Sequence, residues 1–205
     1  MGTGLSIKKA LQAVGASYTI KRDSGDISGE YLDAEANAQV TKPFIREFFL
    51  EASLAYDSEV VGGDVIVLDT TDIPYMVMNK TETILSNLQI ESNAVLYKCN
   101  ISGQLLRPVE TRNSNYDKVT TWSTVKDPAY CLLTDADMGT DLKQREDIGQ
   151  ITVVNMILFI PDSVGVQVFD RLVAASGEYY KIETILPRRF DGVVMCKLAE
   201  DTRSA

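Results

Sequence analysis

The sequence predicts a mainly β protein built from two tandem small β-barrel (or sandwich-like) domains, with long loops and one short N-terminal helix. Three observations support this fold class. Residues 153–200 repeat the pattern of residues 48–100, apolar residues alternate with a period of two along much of the chain, and one stretch alone has helical spacing. Internal repetition on this scale indicates two similar structural units, and the period-two alternation indicates that these units are built from strands.

The repeat consists of three strand segments in each half of the chain. The first segment of each copy is short and apolar and carries a single Asp at the same place, Asp64 in one and Asp170 in the other. A turn, a second strand and a closing strand follow in each copy. The paired segments are 58–67 with 164–173, 74–84 with 178–186, and 94–99 with 192–198.

The length of 205 residues suits two domains of about 100 residues each. We predict an N-terminal β-barrel at 1–100, with the short helix and a long loop at 23–42. We predict a C-terminal β-barrel at 101–205, with a second long loop at 135–148. Loops of this length inside small domains are typically functional or become ordered in an assembly.

The first elements follow from local patterns. Residues 6–14 carry apolar side chains on one helical face, behind Ser6 and before Gly15, which predicts the helix. Alternation over 17–22 predicts the first strand. Residues 31–41 alternate mostly through alanines, which are poor strand formers. We therefore expect an extended loop there, with an edge strand as the alternative.

The charge and the apolar runs exclude several classes of protein. The net charge is −9, so phosphate backbones are repelled, and we expect no sequence-independent binding of nucleic acid. No run approaches the ~20 apolar residues of a membrane-spanning helix, so no membrane partner is expected. Residues 1–9 lack the apolar segment of a secretory signal, and none is expected.

The chain also lacks the residues that most catalytic sites need. It has no histidine, which excludes Ser-His-Asp and Cys-His catalysis and His-ligated metals. The Gly62-Gly63 pair lacks the Lys-Ser/Thr of a phosphate-binding loop. Acids over 135–146 depart from a calcium loop, because Gly139 and Thr140 replace a ligand and the turn glycine. We predict no catalytic, cofactor or metal residues, and no enzyme.

Two further residue types have simple interpretations. Cys99, Cys131 and Cys196 have no C-x-x-C spacing and are predicted to be small buried hydrophobes in a reducing compartment. The single tryptophan, Trp122, lies in a predicted strand, and core packing is favoured over a ligand platform.

The repeat resembles a known family of proteins. Its pattern is an Asp-bearing apolar strand, a turn, a strand of the Tyr-x-Ile-x-x-Ile type and a final strand. The closest stretches are residues 159–173 and 178–185. This pattern is similar to the head-closure, or stopper and head-tail connector, proteins of tailed bacteriophages, here as a tandem duplication. The N-terminal copy keeps Asp64 but has Val65 in place of Arg171.

The resemblance implies a structural protein of the virion neck, assembled in the cytoplasm of the bacterial host. It implies a homo-oligomeric ring between portal and tail that helps to retain packaged DNA without sequence-specific binding. The implied protein partners are the portal or adaptor protein and the tail-completion proteins. The residues expected to contact neighbouring subunits, portal or tail lie in the two long loops and just after the first of them: Tyr31, Val40, Lys42, Phe44, Asp137, Met138, Lys143 and Arg145.

The sequence is also compatible with two alternatives. A tail-terminator or collar protein of the same particle has the same general features, because it too is a ring-forming β-rich adaptor. A tandem β-module that binds a peptide or a carbohydrate would instead present a concave cluster of exposed aromatic side chains.

Overall fold

The computed structural model describes residues 2–36, 49–112, 116–135 and 156–203. Helix α1 spans Thr3–Val14, and a 3-10 turn spans Asp162–Val164. The strands of the first half are β1 (Ala16–Lys21), β2 (Ile27–Ala36), β3 (Phe49–Ala55), β4 (Val65–Leu68), β5 (Pro74–Leu85) and β6 (Leu88–Lys98). Those of the second half are β7 (Ile101–Arg112), β8 (Lys118–Asp135), β9 (Met156–Pro161), β10 (Arg171–Ala174), β11 (Tyr179–Ile185) and β12 (Val193–Glu200).

Helix α1 begins earlier than the sequence suggested. It starts at Thr3 behind Gly2, which makes no side-chain cap, rather than behind Ser6. It ends as predicted at Gly15, whose N–H donates to the Leu11 carbonyl at 2.8 Å. Leu11 is buried, and the helix packs against β2, β3 and β6.

The first barrel is formed by β1 to β6. Its strands are antiparallel neighbours in the closed order β1-β2-β3-β6-β5-β4, with β4 pairing back to β1. Because successive side chains point to opposite faces of a strand, one face of each strand fills the interior. The fully buried members of this core include Tyr18, Ile20, Leu32, Leu54, Ile66, Val77 and Leu96.

The second barrel repeats the topology of the first. It is closed in the order β10-β11-β12-β9-β8-β7, which followed from β7 reads β7-β8-β9-β12-β11-β10. Each strand therefore occupies the position of the strand six numbers lower in the first barrel. Its core contains Leu105, Cys131, Leu158, Ile160, Leu172, Ile182, Cys196 and Leu198. The predicted fold class, two tandem β-barrels with one short N-terminal helix, is confirmed.

The strand register shows where the sequence superposition was right. The first pair of segments matches residue for residue, but the second is displaced by one position. In the third pair, 94–99 corresponds to 196–201 rather than to 192–198. Pro74 pairs with Val67, and Tyr179 pairs with Val173, which is the equivalent residue of the second copy. Pro74 therefore corresponds to Tyr179 rather than to Glu178. A β-bulge interrupts both copies at the same point, between Val77 and Asn79 and between Ile182 and Thr184. Because bulges alter strand twist at defined places, this match supports a true structural repeat.

The prediction of a long loop at 23–42 is wrong over Ile27–Ala36, which forms β2. This strand pairs with β1 on one side and with β3 on the other. Its Leu32 is fully buried, and Ala34 packs against the same core. Alanine is a poor strand former in isolation, but two neighbouring strands supply its hydrogen bonds and the narrow interior accepts its small side chain. Residues 37–42 lie outside the described residues.

The second predicted loop, 135–148, begins at Asp135, the last residue of β8. Residues 136–148 lie outside the described residues. By its internal contacts the chain divides into two compact units. The first unit comprises Met1–Cys99, Pro161–Ser163 and Arg188–Val193; the second comprises Asn100–Ile160, Val164–Pro187 and Val194–Ala205.

Candidate functional site

A buried carboxylate fastens the turn before β4 in the first unit. Asp64 accepts hydrogen bonds from Arg22 Nε at 2.9 Å and Arg22 Nη2 at 2.6 Å, and from the backbone N–H of Val61 at 2.8 Å. Arg22 Nη2 also donates to the carbonyl of Glu59 at 2.7 Å. This bidentate pair joins the end of β1 to the turn, and we call it the Arg–Asp clasp.

The second unit contains the same clasp at the equivalent place. Asp170 accepts from Arg107 Nε and Nη2, both at 2.9 Å, and from the N–H of Gln167 at 2.7 Å. Arg107 Nη2 donates to the carbonyl of Gly165 at 2.7 Å. Sequence comparison identified the two aspartates as equivalent but missed their arginine partners. Strand pairing identifies these arginines, because Lys21 pairs with Val65 and Leu106 pairs with Arg171. The residues that follow, Arg22 and Arg107, therefore occupy equivalent positions.

The clasp is a structural device rather than a reactive group. The hydrogen bond with Asp64 raises the pKa of Arg22, and that with Asp170 raises the pKa of Arg107. Each carboxylate has a bidentate guanidinium and a backbone N–H as hydrogen-bond partners. Each clasp therefore fixes the backbone of a four-residue turn, 61–64 in the first unit and 167–170 in the second.

The middle residues of these two turns differ in chemistry. They are Gly62 and Gly63 in the first unit, and Val168 and Phe169 in the second. Gly63 and Phe169 both have positive φ, 84° and 74°. Their N–H groups donate to equivalent carbonyls, those of Val77 at 2.8 Å and Ile182 at 2.9 Å. The same backbone turn is thus bare in one copy and carries two apolar side chains in the other.

A second ion pair occurs in the second unit without a counterpart in the first. Arg171 Nε donates to Asp201 Oδ2 at 2.6 Å, and both side chains are buried. Burial alone would raise the pKa of Asp201, but hydrogen bonds from Arg203 and Arg171 outweigh it and hold that pKa well below its usual range. The equivalent positions in the first unit are Val65 and Cys99, both buried and apolar.

Trp122 packs differently from the predicted core residue. Its side chain is half-buried, and the guanidinium carbons of Arg171 and Arg203 lie 3.9 and 4.9 Å from its ring centre. This is cation–π stacking. Because two guanidiniums lie close to the ring, Trp122 is not an open platform for a ligand.

A small cavity lies between α1 and the first barrel. It has a volume of about 120 Å³ and is lined in part by Lys8, Glu30, Tyr31 and Ser58. The Glu30 carboxylate accepts hydrogen bonds from the hydroxyls of Tyr18 and Ser58 and from a backbone N–H. This carboxylate therefore already has hydrogen-bond partners within the protein. Small-molecule sites are typically several times larger.

Tyr31 is the one residue predicted for partner contacts that falls within the described ranges. It lies on β2 and is half-buried at the rim of this cavity. The other seven are Val40, Lys42, Phe44, Asp137, Met138, Lys143 and Arg145, and they lie outside the described residues.

Two groups of exposed apolar side chains were not identified from the sequence. One is at the end of the β5–β6 hairpin, where Ile84, Leu85 and Leu88 are 62%, 53% and 68% exposed. The other is Val168 and Phe169 in the clasped turn, 40% and 60% exposed. Large contiguous apolar patches are typical of interaction surfaces, whereas single exposed apolar side chains are ordinary.

Within the described ranges, no group of His, Cys, Asp and Glu side chains is arranged to hold a metal ion. All three cysteines are buried, as predicted. Over the same residues no helix is long and apolar enough to cross a membrane. No protein-family model, no curated protein and no solved structure matches the chain.

Proposed function

We propose that this protein is a structural adaptor of the neck of a tailed bacteriophage. In this proposal it is a head-completion or stopper protein that forms a ring between portal and tail and helps to retain packaged DNA. The observation that carries the proposal is the placement of exposed apolar side chains on rigid parts of closed barrels, at the 84–88 hairpin end and at the Val168–Phe169 turn. Among the described residues, no group of Cys, Asp and Glu side chains that could hold a metal ion accompanies them.

Closed barrels restrict how such a chain can associate. A closed barrel has no free strand edge for another chain to extend, so the barrels themselves meet partners through side-chain surfaces. A ring of identical subunits needs two different surfaces on each subunit, because cyclic contacts are heterologous. The hairpin end and the clasped turn are two such surfaces on one chain.

The charge of the protein supports a position beside DNA rather than on it. A net charge of −9 opposes adhesion to phosphates, so a channel bordered by such subunits would let DNA pass. The alternative of a carbohydrate- or peptide-binding module requires an open aromatic platform. It is less favoured, because Trp122 is stacked with Arg171 and Arg203.

Electron microscopy of the purified chain mixed with the portal complex of its own particle tests this proposal. A ring bound to the portal is the expected result. Particles that lack the gene product should package DNA and then lose it. Full, tailed and stable particles in its absence, together with no ring on the portal, would overturn the proposal. A ring at the far end of the tail tube would instead assign the tail-terminator role.

A further inference from the structure

The first unit contains an example of how the clasped turn is covered. Segment Arg188–Val193, which leads into β12, belongs to this unit and lies against the Gly62-Gly63 turn. A Cβ added to Gly63 would lie 2.0 Å from the carbonyl oxygen of Gly192, and one added to Gly192 would lie 1.9 Å from that of Gly62. Backbone therefore packs directly on backbone, which two bare glycine turns permit.

The equivalent turn of the second unit has side chains where the first has none. Phe169 has a φ of 74°, a region that costs a bulky residue free energy and that glycine occupies freely. Its ring is also largely exposed to solvent. A strained backbone and an exposed aromatic ring are both unfavourable in an isolated chain, so the residue at this position indicates a surface that is covered by a partner.

The repeat also identifies the element that corresponds to segment 188–193. That segment connects the fifth and sixth strands of its copy, β11 and β12. In the first copy the same connection is the end of the β5–β6 hairpin, a two-residue turn in which Ser86 and Asn87 have φ of 51° and 63°. This hairpin end exposes Ile84, Leu85 and Leu88.

We propose that the hairpin end of one copy of this chain packs on the Val168–Phe169 turn of the next copy. The contact between copies then repeats the arrangement that segment 188–193 and the Gly62-Gly63 turn have within the first unit. Apolar side chains replace the close backbone approach, since both surfaces carry them. The inference rests on the proposed ring, because it names the contact that joins one subunit to the next.

The backbone of the Val168–Phe169 turn is held in place by side-chain hydrogen bonds. The clasp between Arg107 and Asp170 fixes its end, and Arg203 Nη1 donates to the carbonyl of Phe169 at 3.0 Å. A surface that is already ordered loses little conformational entropy on binding. The two surfaces differ, so the contact is heterologous and joins copies head to tail.

Single variants test each surface by sedimentation velocity over a concentration series. Phe169→Gly and Leu88→Asp should each weaken self-association at least about tenfold. Phe169→Gly also removes the backbone strain, so its melting temperature should equal or exceed that of the unaltered chain. A loss of association at an unchanged melting temperature then reflects the lost contact and not unfolding. Val119→Asp, on the exposed β7–β8 hairpin, is the matched control and should leave association unchanged.

Mixing the two variants gives the decisive measurement. A Phe169→Gly copy keeps its hairpin end and a Leu88→Asp copy keeps its turn, so the mixture should form pairs and nothing larger. A mixture that stays monomeric overturns the contact. Assembly that survives in both single variants overturns the contact and leaves the proposed ring standing. An unaltered chain that stays monomeric at every concentration, and also on its portal, overturns both.

Discussion

The carboxylates of Asp64 and Asp170 each hold a turn to a strand through an arginine and a backbone N–H. Each joins a strand to a turn that is distant in sequence, 42 positions away for Arg22 and Asp64 and 63 positions away for Arg107 and Asp170. Removing one partner of such a pair leaves the other charge without compensation. Each turn therefore depends on its Arg–Asp clasp.

Substitution of either aspartate tests this dependence. Asp64→Ala and Asp170→Ala should each lower the free energy of unfolding by about 2–4 kcal/mol, because an arginine and a turn N–H lose their acceptor. Urea denaturation measures the change. Asp33→Ala, an exposed position on β2, should change it by less than about 0.5 kcal/mol. Equal effects at all three positions would contradict the structural role of the clasp.

The buried ion pair of the second unit has an apolar equivalent in the first. Asp201→Cys removes the carboxylate that pairs with the buried guanidinium of Arg171, and it should lower the free energy of unfolding by about 3–5 kcal/mol. Adding Arg171→Val reproduces the Val65 and Cys99 arrangement and should recover a substantial part of that loss. The comparison of the two free energies of unfolding checks this. A double variant as unstable as Asp201→Cys alone would show that the pair matters for more than charge compensation.

The buried thiols make stability depend on alkaline pH. Burial raises the pKa of Cys99 and of Cys196 from 9.0 to about 12, with a further contribution from Asp170 for Cys196. Unfolded thiols ionise above about pH 9, whereas the folded ones keep their protons. Their contribution is therefore complete below pH 9 and is lost as the pH rises toward 12.

At pH 11 this loss should reach about 3 kcal/mol for each thiol. Urea denaturation at pH 8 and pH 11 measures it. A chain with Cys99→Ala and Cys196→Ala should be less stable at pH 8 but should lose less stability between the two pH values. An unchanged pH dependence in that variant would assign the alkaline sensitivity to other groups.

At the scale of elements, strand β2 shows how tertiary contacts override local preference. Its alanine-rich sequence predicts a loop, yet it pairs on both edges and places Leu32 in the barrel core. By contrast, the elements with strong local patterns agree with the sequence. Helix α1 and strand β1 each formed where the spacing of apolar residues predicted them, apart from the earlier start of the helix.

Leu32→Ala separates the two interpretations of this segment. A buried leucine should cost about 2–5 kcal/mol when truncated, whereas a leucine in a surface loop would cost almost nothing. Leu85→Ala, at the exposed hairpin end, is the matched control and should be nearly neutral. Chemical denaturation of the two variants gives both values, and near-equal results would restore the loop interpretation.

At the scale of the whole molecule, two copies of one topology carry different surfaces. The barrels share strand order, a bulge and the clasp, but the first copy has a long apolar hairpin end and the second has an apolar turn. A single unit of this kind lacks one of the two surfaces, whereas the tandem chain has both. Duplication followed by divergence is thus a route to the two-sided subunit that a ring requires.

The net charge leads to a prediction about the whole molecule. The purified chain should not retard duplex DNA in a gel at physiological salt, because like charges repel. The expected mobility of the DNA is unchanged at every protein concentration used to test for self-association. Retardation that weakens steeply with added salt would reveal a basic surface and would contradict the proposed passage of DNA beside the ring.

The sequence alone determined the β class, the helix, the repeat, the equivalence of Asp64 and Asp170, and the acidic, histidine-free composition. These properties depend on local periodicity and on residue type, and both can be read from short stretches of sequence. The tertiary structure alone decided that β2 is a strand, that Arg22 and Arg107 hold the two aspartates, and that Phe169 lies exposed in a strained turn. Those properties depend on which distant segments become neighbours when the barrels close, and no short stretch of sequence contains that information.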